Sequence, residues 1–210
     1  MKWEGRRQSS NVDDRRGMRG KGGLIAGGGI VGIIVVLLQL FGGETGQQVA
    51  SVVNQVAGGN QTQQAVERVE LTAEQKKIGE FTATVLADTE DVWEKVFAQN
   101  GLGTYKKPTL VLFTENVSTG CGNATAAVGP FYCPADQKLY MDMDFFEELK
   151  TRFGAKGGDF AIAYVMAHEV GHHVQNLLGT IDKVNSETAR LGKKEGNRLS
   201  VRLELQADYL

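Results

Sequence analysis

All three histidines of this 210-residue chain fall within six positions: His168, His172 and His173. They stand in Met166-Ala-His168-Glu169-Val-Gly-His172-His173-Val-Gln175, preceded by the uncharged, apolar run Ala161–Ala167. On a helix, residues four apart lie one turn along and about 40° around the axis. His168 and His172 would therefore stack their imidazoles closely enough to hold one metal ion. Glu169, rotated about 100° from His168, would flank that ion without occupying a ligand position. This is the H-E-x-x-H arrangement, with two zinc ligands and a carboxylate able to accept a proton from zinc-bound water. Burying two imidazoles and a carboxylate on an apolar helix is costly unless something binds them. His173 falls off the ligand face and reads as a supporting or surface residue.

A catalytic Zn2+ needs a third protein ligand and an open position for water. No histidine remains, so the third ligand is expected to be a carboxylate. Glu204, in Leu203-Glu204-Leu-Gln-Ala207-Asp208, is one candidate; Glu187 and Glu195 are others. Spacing alone leaves Glu204 level with a solvated acidic face balanced by Arg198 and Arg202. If Glu204 is the ligand, Asp208 shares its helix face and would hydrogen-bond the free ring nitrogen of a ligand histidine.

The elements that must position these groups are partly readable. Thr72-Ala-Glu-Gln75 is a capping box, followed by Ile78, Phe81, Val85, Val92, Trp93, Val96 and Phe97 at near-helical spacing until Asn100-Gly101. Residues 108–114 read as a buried strand. Residues 129–133 and 138–143 read as two more, joined by Pro134-Ala-Asp136. Asp144 would cap a short helix to Arg152, and a long helix would run from Asp159 to about Leu178. An extended substrate would pair with a strand edge near the site, either 109–114 or 138–143.

The N-terminal third is different in kind. Residues 1–21 carry seven Lys or Arg against three acids, while the remainder of the chain is net acidic. The overall formal charge of −2 argues against a strongly basic nucleic-acid binder. Gly22–Phe41 is 20 residues without a charge, about the thickness of a bilayer core when helical. With the basic residues before it, the positive-inside rule predicts a single-pass membrane anchor. The N-terminus would be cytoplasmic and the remainder outside. Gly23-x-x-x-Gly27 and Gly28-x-x-x-Gly32 would let two such helices approach and dimerise. Residues 42–68, rich in Gly, Gln and Asn, would be a flexible linker. In an exported domain, the two cysteines, Cys121 and Cys133, would form a disulfide, contributing roughly 3 kcal/mol by loop closure.

Several separated motifs occur in order: Arg6-Arg7-Gln-Ser-Ser-Asn11-Val12-Asp13-Asp14-Arg15-Arg16-Gly17, Cys121-Gly122, Gly129-Pro-Phe-Tyr132-Cys133-Pro134, the histidine segment, and Glu204-Leu-Gln-Ala207-Asp208. With these the chain resembles the bacterial putative neutral zinc metallopeptidase family along nearly its whole length. The resemblance implies Glu204 as third ligand, by analogy with the Glu-x-x-Ala-Asp segment of other zinc peptidases. It implies further that residues after Leu210 are missing, so that the domain is C-terminally truncated. The resulting expectation is an α+β, zincin-like metallopeptidase domain over 69–210 with a small sheet and an H-E-x-x-H helix. One transmembrane helix (22–41) in the bacterial cytoplasmic membrane and a basic cytoplasmic tail (1–21) would precede it, leaving the domain on the periplasmic side. The activity expected is hydrolysis of peptide bonds in a polypeptide substrate, with Glu169 as the base. Two rivals are a non-catalytic, membrane-tethered scaffold with structural zinc, and a hydrolase of non-peptide amides.

Overall fold

A computed structural model describes residues 2–17, 70–142, 145 and 158–210. Thr72 caps the first long helix, α1 (Ala73–Gln99), and its capping box with Gln75 is complete on both sides. Strands β2 (Thr109–Phe113), β5 (Phe131–Cys133) and β6 (Lys138–Asp142) follow, with the hairpin β3 (Asn116–Thr119) and β4 (Gly122–Thr125) between them. Three helices close the chain: α2 (Gly158–Leu177), α3 (Thr180–Arg190) and α4 (Lys193–Tyr209).

The main sheet also takes in β1 (Val12–Asp14), in the order β1-β2-β6-β5. β1, β2 and β6 run parallel, and β5 is antiparallel to β6 with Tyr132 opposite Leu139. Residues 109–113 are almost wholly apolar because both faces of β2 are covered. Leu110 and Leu112 pack with Phe81, Leu86, Met166 and Val170 on the helical side, whereas Val111 and Phe113 pack with Val117, Cys133 and Tyr140 on the hairpin side. The alternation of the pleat thus sorts one strand's side chains into two cores. A Cys121–Cys133 disulfide ties the hairpin's exposed turn to the end of β5.

The first 17 residues belong to this unit. Trp3 is buried against Phe81, ring centroids 5.3 Å apart, and the Ser9 amide donates to the Ala83 carbonyl at 2.9 Å. Glu90, 1% exposed, accepts from Ser9 Oγ at 2.5 Å and from Asn11 Nδ2 at 2.8 Å. Arg6 pairs with Asp88, and Arg7 with Asp91 and the Ala87 carbonyl. Arg16, buried, chelates Asp14 and fills a slot that exists because Gly79 has no side chain.

These contacts correct the membrane reading. Arg6 and Arg7 are paired with acids of α1, and Arg15 and Arg16 with Asp13 and Asp14 of their own segment, so these four do not form a free orientation signal. β1 is hydrogen-bonded to β2, so the two lie in one compartment; a chain crossing a bilayer once between them would separate them. Among the described residues, no helix is long and apolar enough to cross a membrane. The architecture of the described residues is therefore α+β with no transmembrane helix among them, and the single-pass localisation is withdrawn. Residues 22–41 with their glycine repeats, the linker over 42–68, and nearly all of the short helix expected over 144–152 lie outside the described residues. The strand-edge expectation is corrected as well. Among the described residues, β2 and β6 are interior strands, each paired on both sides, and the outer strands are β1 and β5.

Candidate metal centre

The helical repeat of α2 sets out two adjacent stripes, each at spacings of four and three. The first is His168, His172 and Gln175, which face α4. The second is Glu169, His173 and Asn176, which face β5. Each residue of the second stripe follows its counterpart by one position, or about 100° around the axis.

On the first stripe, His168 Nε2 and His172 Nε2 are 3.1 Å apart. Glu204 Oε2, from α4, lies 3.3 Å from the former and 3.4 Å from the latter. Both imidazoles have their other nitrogen committed. Asp208 Oδ1 can only accept, so His168 Nδ1–H donates to it at 2.8 Å. The Gln175 amide nitrogen donates to the Leu203 carbonyl at 2.7 Å, which turns its oxygen toward His172 Nδ1–H at 2.9 Å. Each Nε2 is thus left with a lone pair, and the two lone pairs and a carboxylate oxygen point at one place. That arrangement is repulsive unless a cation sits among them. Ligands at the usual 2.0–2.1 Å from tetrahedral zinc stand about 3.3 Å from one another, close to the three separations here. Among the described residues this is the one group of three or more His, Cys, Asp or Glu donors that converges. Glu187 and Glu195 stand elsewhere, beside Arg190 and Arg198.

α4 reaches this position through a close helix crossing. A Cβ at Gly171 would lie 2.6 Å from the Ala207 carbonyl oxygen. The missing side chain lets the backbones touch between Glu204 and Asp208. Asp208 is shared: its Oδ1 also accepts from the Tyr164 hydroxyl at 2.7 Å. Hydrogen bonds from Tyr164 and His168 hold the Asp208 carboxyl below its ordinary range.

On the second stripe, Glu169 is 7% exposed, and burial raises its carboxyl above the ordinary range. The neighbouring imidazoles and the Tyr132 backbone N–H oppose that rise. His173 is fully buried, not at the surface. Its Nε2–H donates to the Lys106 carbonyl at 2.6 Å, so its Nδ1 accepts from the Tyr132 hydroxyl at 3.1 Å. Burial lowers the His173 pKa and keeps the ring neutral. Asn176 Nδ2 completes the chain by donating to Tyr132 Oη at 2.9 Å.

Sequence reasoning missed Gln175, Gly171, Tyr164 and Tyr132. Gln175 had a usable signal, three residues beyond His172. The others depend on which elements meet, which local spacing does not encode.

The chain matches the family described as putative neutral zinc metallopeptidase over residues 1–210. It is 41% identical over 215 residues to the uncharacterized protein YpfJ of Escherichia coli K12, covering 99% of this chain and 72% of that protein. An uncharacterized protein of Mycobacterium bovis is 52% identical over 104 residues, 50% of this chain and 34% of that protein. No solved structure matches significantly. Matched from end to end, the chain belongs to the putative neutral zinc metallopeptidase family.

Proposed function

We propose that this protein hydrolyses peptide bonds, with Zn2+ held by His168, His172 and Glu204 and with Glu169 as the proton-transferring base. The observation that carries this reading is the set of three converging donors with a buried carboxylate beside it. A structural zinc site is usually closed by four protein ligands, whereas a catalytic one keeps a position open. Among the described residues only three donors converge, which favours catalysis over a scaffold role. Zinc, when bound, would supply Lewis acidity, polarising the scissile carbonyl and making water a better nucleophile near neutral pH.

The chain's own residues do the rest. Asp208 and Gln175 fix the tautomers of His168 and His172, so that both Nε2 atoms face inward. The Asp208 carboxylate also increases the electron donation of His168. Glu169 takes the proton of the attacking water and delivers it to the leaving amine. A carboxyl raised by burial suits both halves of that transfer, because its proton affinity approaches the working pH.

The test is Glu169→Gln in the zinc-loaded chain, assayed against a peptide library with zinc measured by elemental analysis. The expected result is one zinc retained and turnover lower by about 10²–10⁴-fold, the usual contribution of a positioned acid or base. Full activity in this variant would overturn the assignment of Glu169.

A further inference from the structure

We propose that α4 is a movable wall of the metal centre, opening and closing on a core that stays folded, and that bound zinc is what holds it shut. The proposal rests on the reading of His168, His172 and Glu204 as metal donors and does not depend on catalysis.

α4 is the least buried element of the centre. Of its 17 residues only Gly196 and Ala207 are buried, with Leu199 and Leu203 half-buried. The rest are exposed, Val201, Leu205 and Tyr209 among them. Gly196 lies against Thr188 of α3, and α3 itself buries only Ile181. α2 is different: it places Ile162, Met166, Val170 and Val174 in the core. Apolar stabilisation scales with the area removed from water, so packing fixes α2 firmly and α4 weakly.

The other contacts that dock α4 on α2 are Ala207 against Gly171 and a set of hydrogen bonds. The Gln175 amide nitrogen donates to the Leu203 carbonyl at 2.7 Å and to Gln206 Oε1 at 3.1 Å, and Asp208 accepts from Tyr164 and His168. Each of these bonds is exchanged for one to water when α4 lifts away, so its net contribution is small. Against them stands the approach of Glu204 Oε2 to two imidazole nitrogens, which opposes docking until a cation enters.

Metal binding and docking are reciprocal because one helix serves all three donors. α4 carries Glu204, and it also carries the groups that orient the two histidines. Asp208 holds His168 Nδ1–H, while the Leu203 carbonyl and Gln206 aim the Gln175 oxygen that holds His172 Nδ1–H. Lifting α4 therefore removes a ligand and frees both imidazoles to turn. An open α4 binds metal less tightly, so by linkage a bound metal favours the closed α4 by the same factor.

The experiment follows backbone hydrogen exchange along the full chain, metal-free and with zinc, and measures zinc content by elemental analysis. In the metal-free protein the amides of 199–209 should exchange at least about tenfold faster than those of α1 and β6, because α4 opens while the core stays closed. With free zinc at about 100 times its dissociation constant, an opening that releases the metal is suppressed about 100-fold, and the α4 amides should slow by that factor. Glu204 is more than half exposed, so Glu204→Ala is expected to keep the fold. The same zinc should slow the α4 amides of this variant at least about tenfold less than those of the unaltered chain.

α4 amides that exchange no faster than the core in the metal-free protein would overturn the proposal, since α4 would then unfold only with the core. An α4 rate that zinc leaves unchanged would overturn it too, as would equal slowing in Glu204→Ala. A chain that holds one zinc and shows no response in α4 loses the proposal alone. A chain that takes up no zinc loses the metal centre itself, and the proposal with it.

Discussion

Gly171→Ala separates two physical arguments that predict opposite results. Gly171 lies inside α2, where alanine is favoured over glycine by about 1 kcal/mol on helix propensity alone. By that reasoning the variant should be more stable and bind metal unchanged. The packing argument says otherwise. The new Cβ would meet the Ala207 carbonyl oxygen at 2.6 Å and the Ala207 Cα at 3.0 Å. Both are backbone atoms, which cannot rotate away. Reaching ordinary contact requires the two helices to separate by about 0.7 Å, and overpacking of this kind costs about 1–3 kcal/mol. Propensity offsets part of that cost, so the net loss of stability should be small. The metal centre has far less slack, because ligand distances must hold to about 0.2 Å. Ala207 stands between Glu204 and Asp208, so the shift of α4 passes directly to a donor and to the support of His168. Zinc affinity should fall by about 10–100-fold, the scale seen when the support of a ligand is lost. Competition against a chromophoric chelator measures the affinity, and thermal unfolding of the metal-free protein measures the stability. Gly158→Ala on the same helix is the control, since nothing lies within 4 Å of its Cβ position. A Gly171→Ala protein with a higher Tm and unchanged zinc affinity would refute the close-approach argument.

Asp208→Ala should weaken zinc binding by about 10–100-fold, because His168 loses the acceptor that fixes its tautomer and Tyr164 loses its partner. Chelator competition checks this, and unchanged affinity would remove Asp208 from the centre. Trp3→Ala should lower unfolding stability by about 3–5 kcal/mol, as expected for a large buried aromatic. Urea titration measures that loss; a shift below about 1 kcal/mol would mean that the N-terminal segment is not part of the core.

The parts of this molecule that are legible in its sequence are those whose cause is local. The capping box at Thr72, the long helix behind it and the buried run 109–113 each follow from a few adjacent residues. So does the shared face of His168 and His172, since a helix of 3.6 residues per turn leaves no alternative. Glu204 was visible only as one carboxylate among several. What singles it out is the crossing of α2 and α4 at Gly171 and Ala207, and a glycine followed by two histidines announces no such contact. Tyr132 is a further step removed, because its bonds to His173 and Asn176 come from a strand meeting the second stripe of the helix.

The N-terminal segment shows why charge counting failed here. Arg6, Arg7, Arg15 and Arg16 read as a cationic run because a long uncharged apolar stretch, residues 22–41, follows them. The positive-inside rule concerns cations left free to stay on one side of a bilayer. These are not free. Arg6 and Arg7 meet Asp88, Glu90 and Asp91 some eighty residues later, and Arg16 is buried in a slot opened by Gly79. A three-residue segment such as Val12-Asp-Asp14 has no alternation from which a strand can be inferred. It becomes one because β2 offers it a ladder, and Leu110↔Val12 fixes the register. A sum over sequence counts these charges and residues but not their partners. In this protein the partners decide whether the segment is a tail or an edge of the sheet that supports the metal centre.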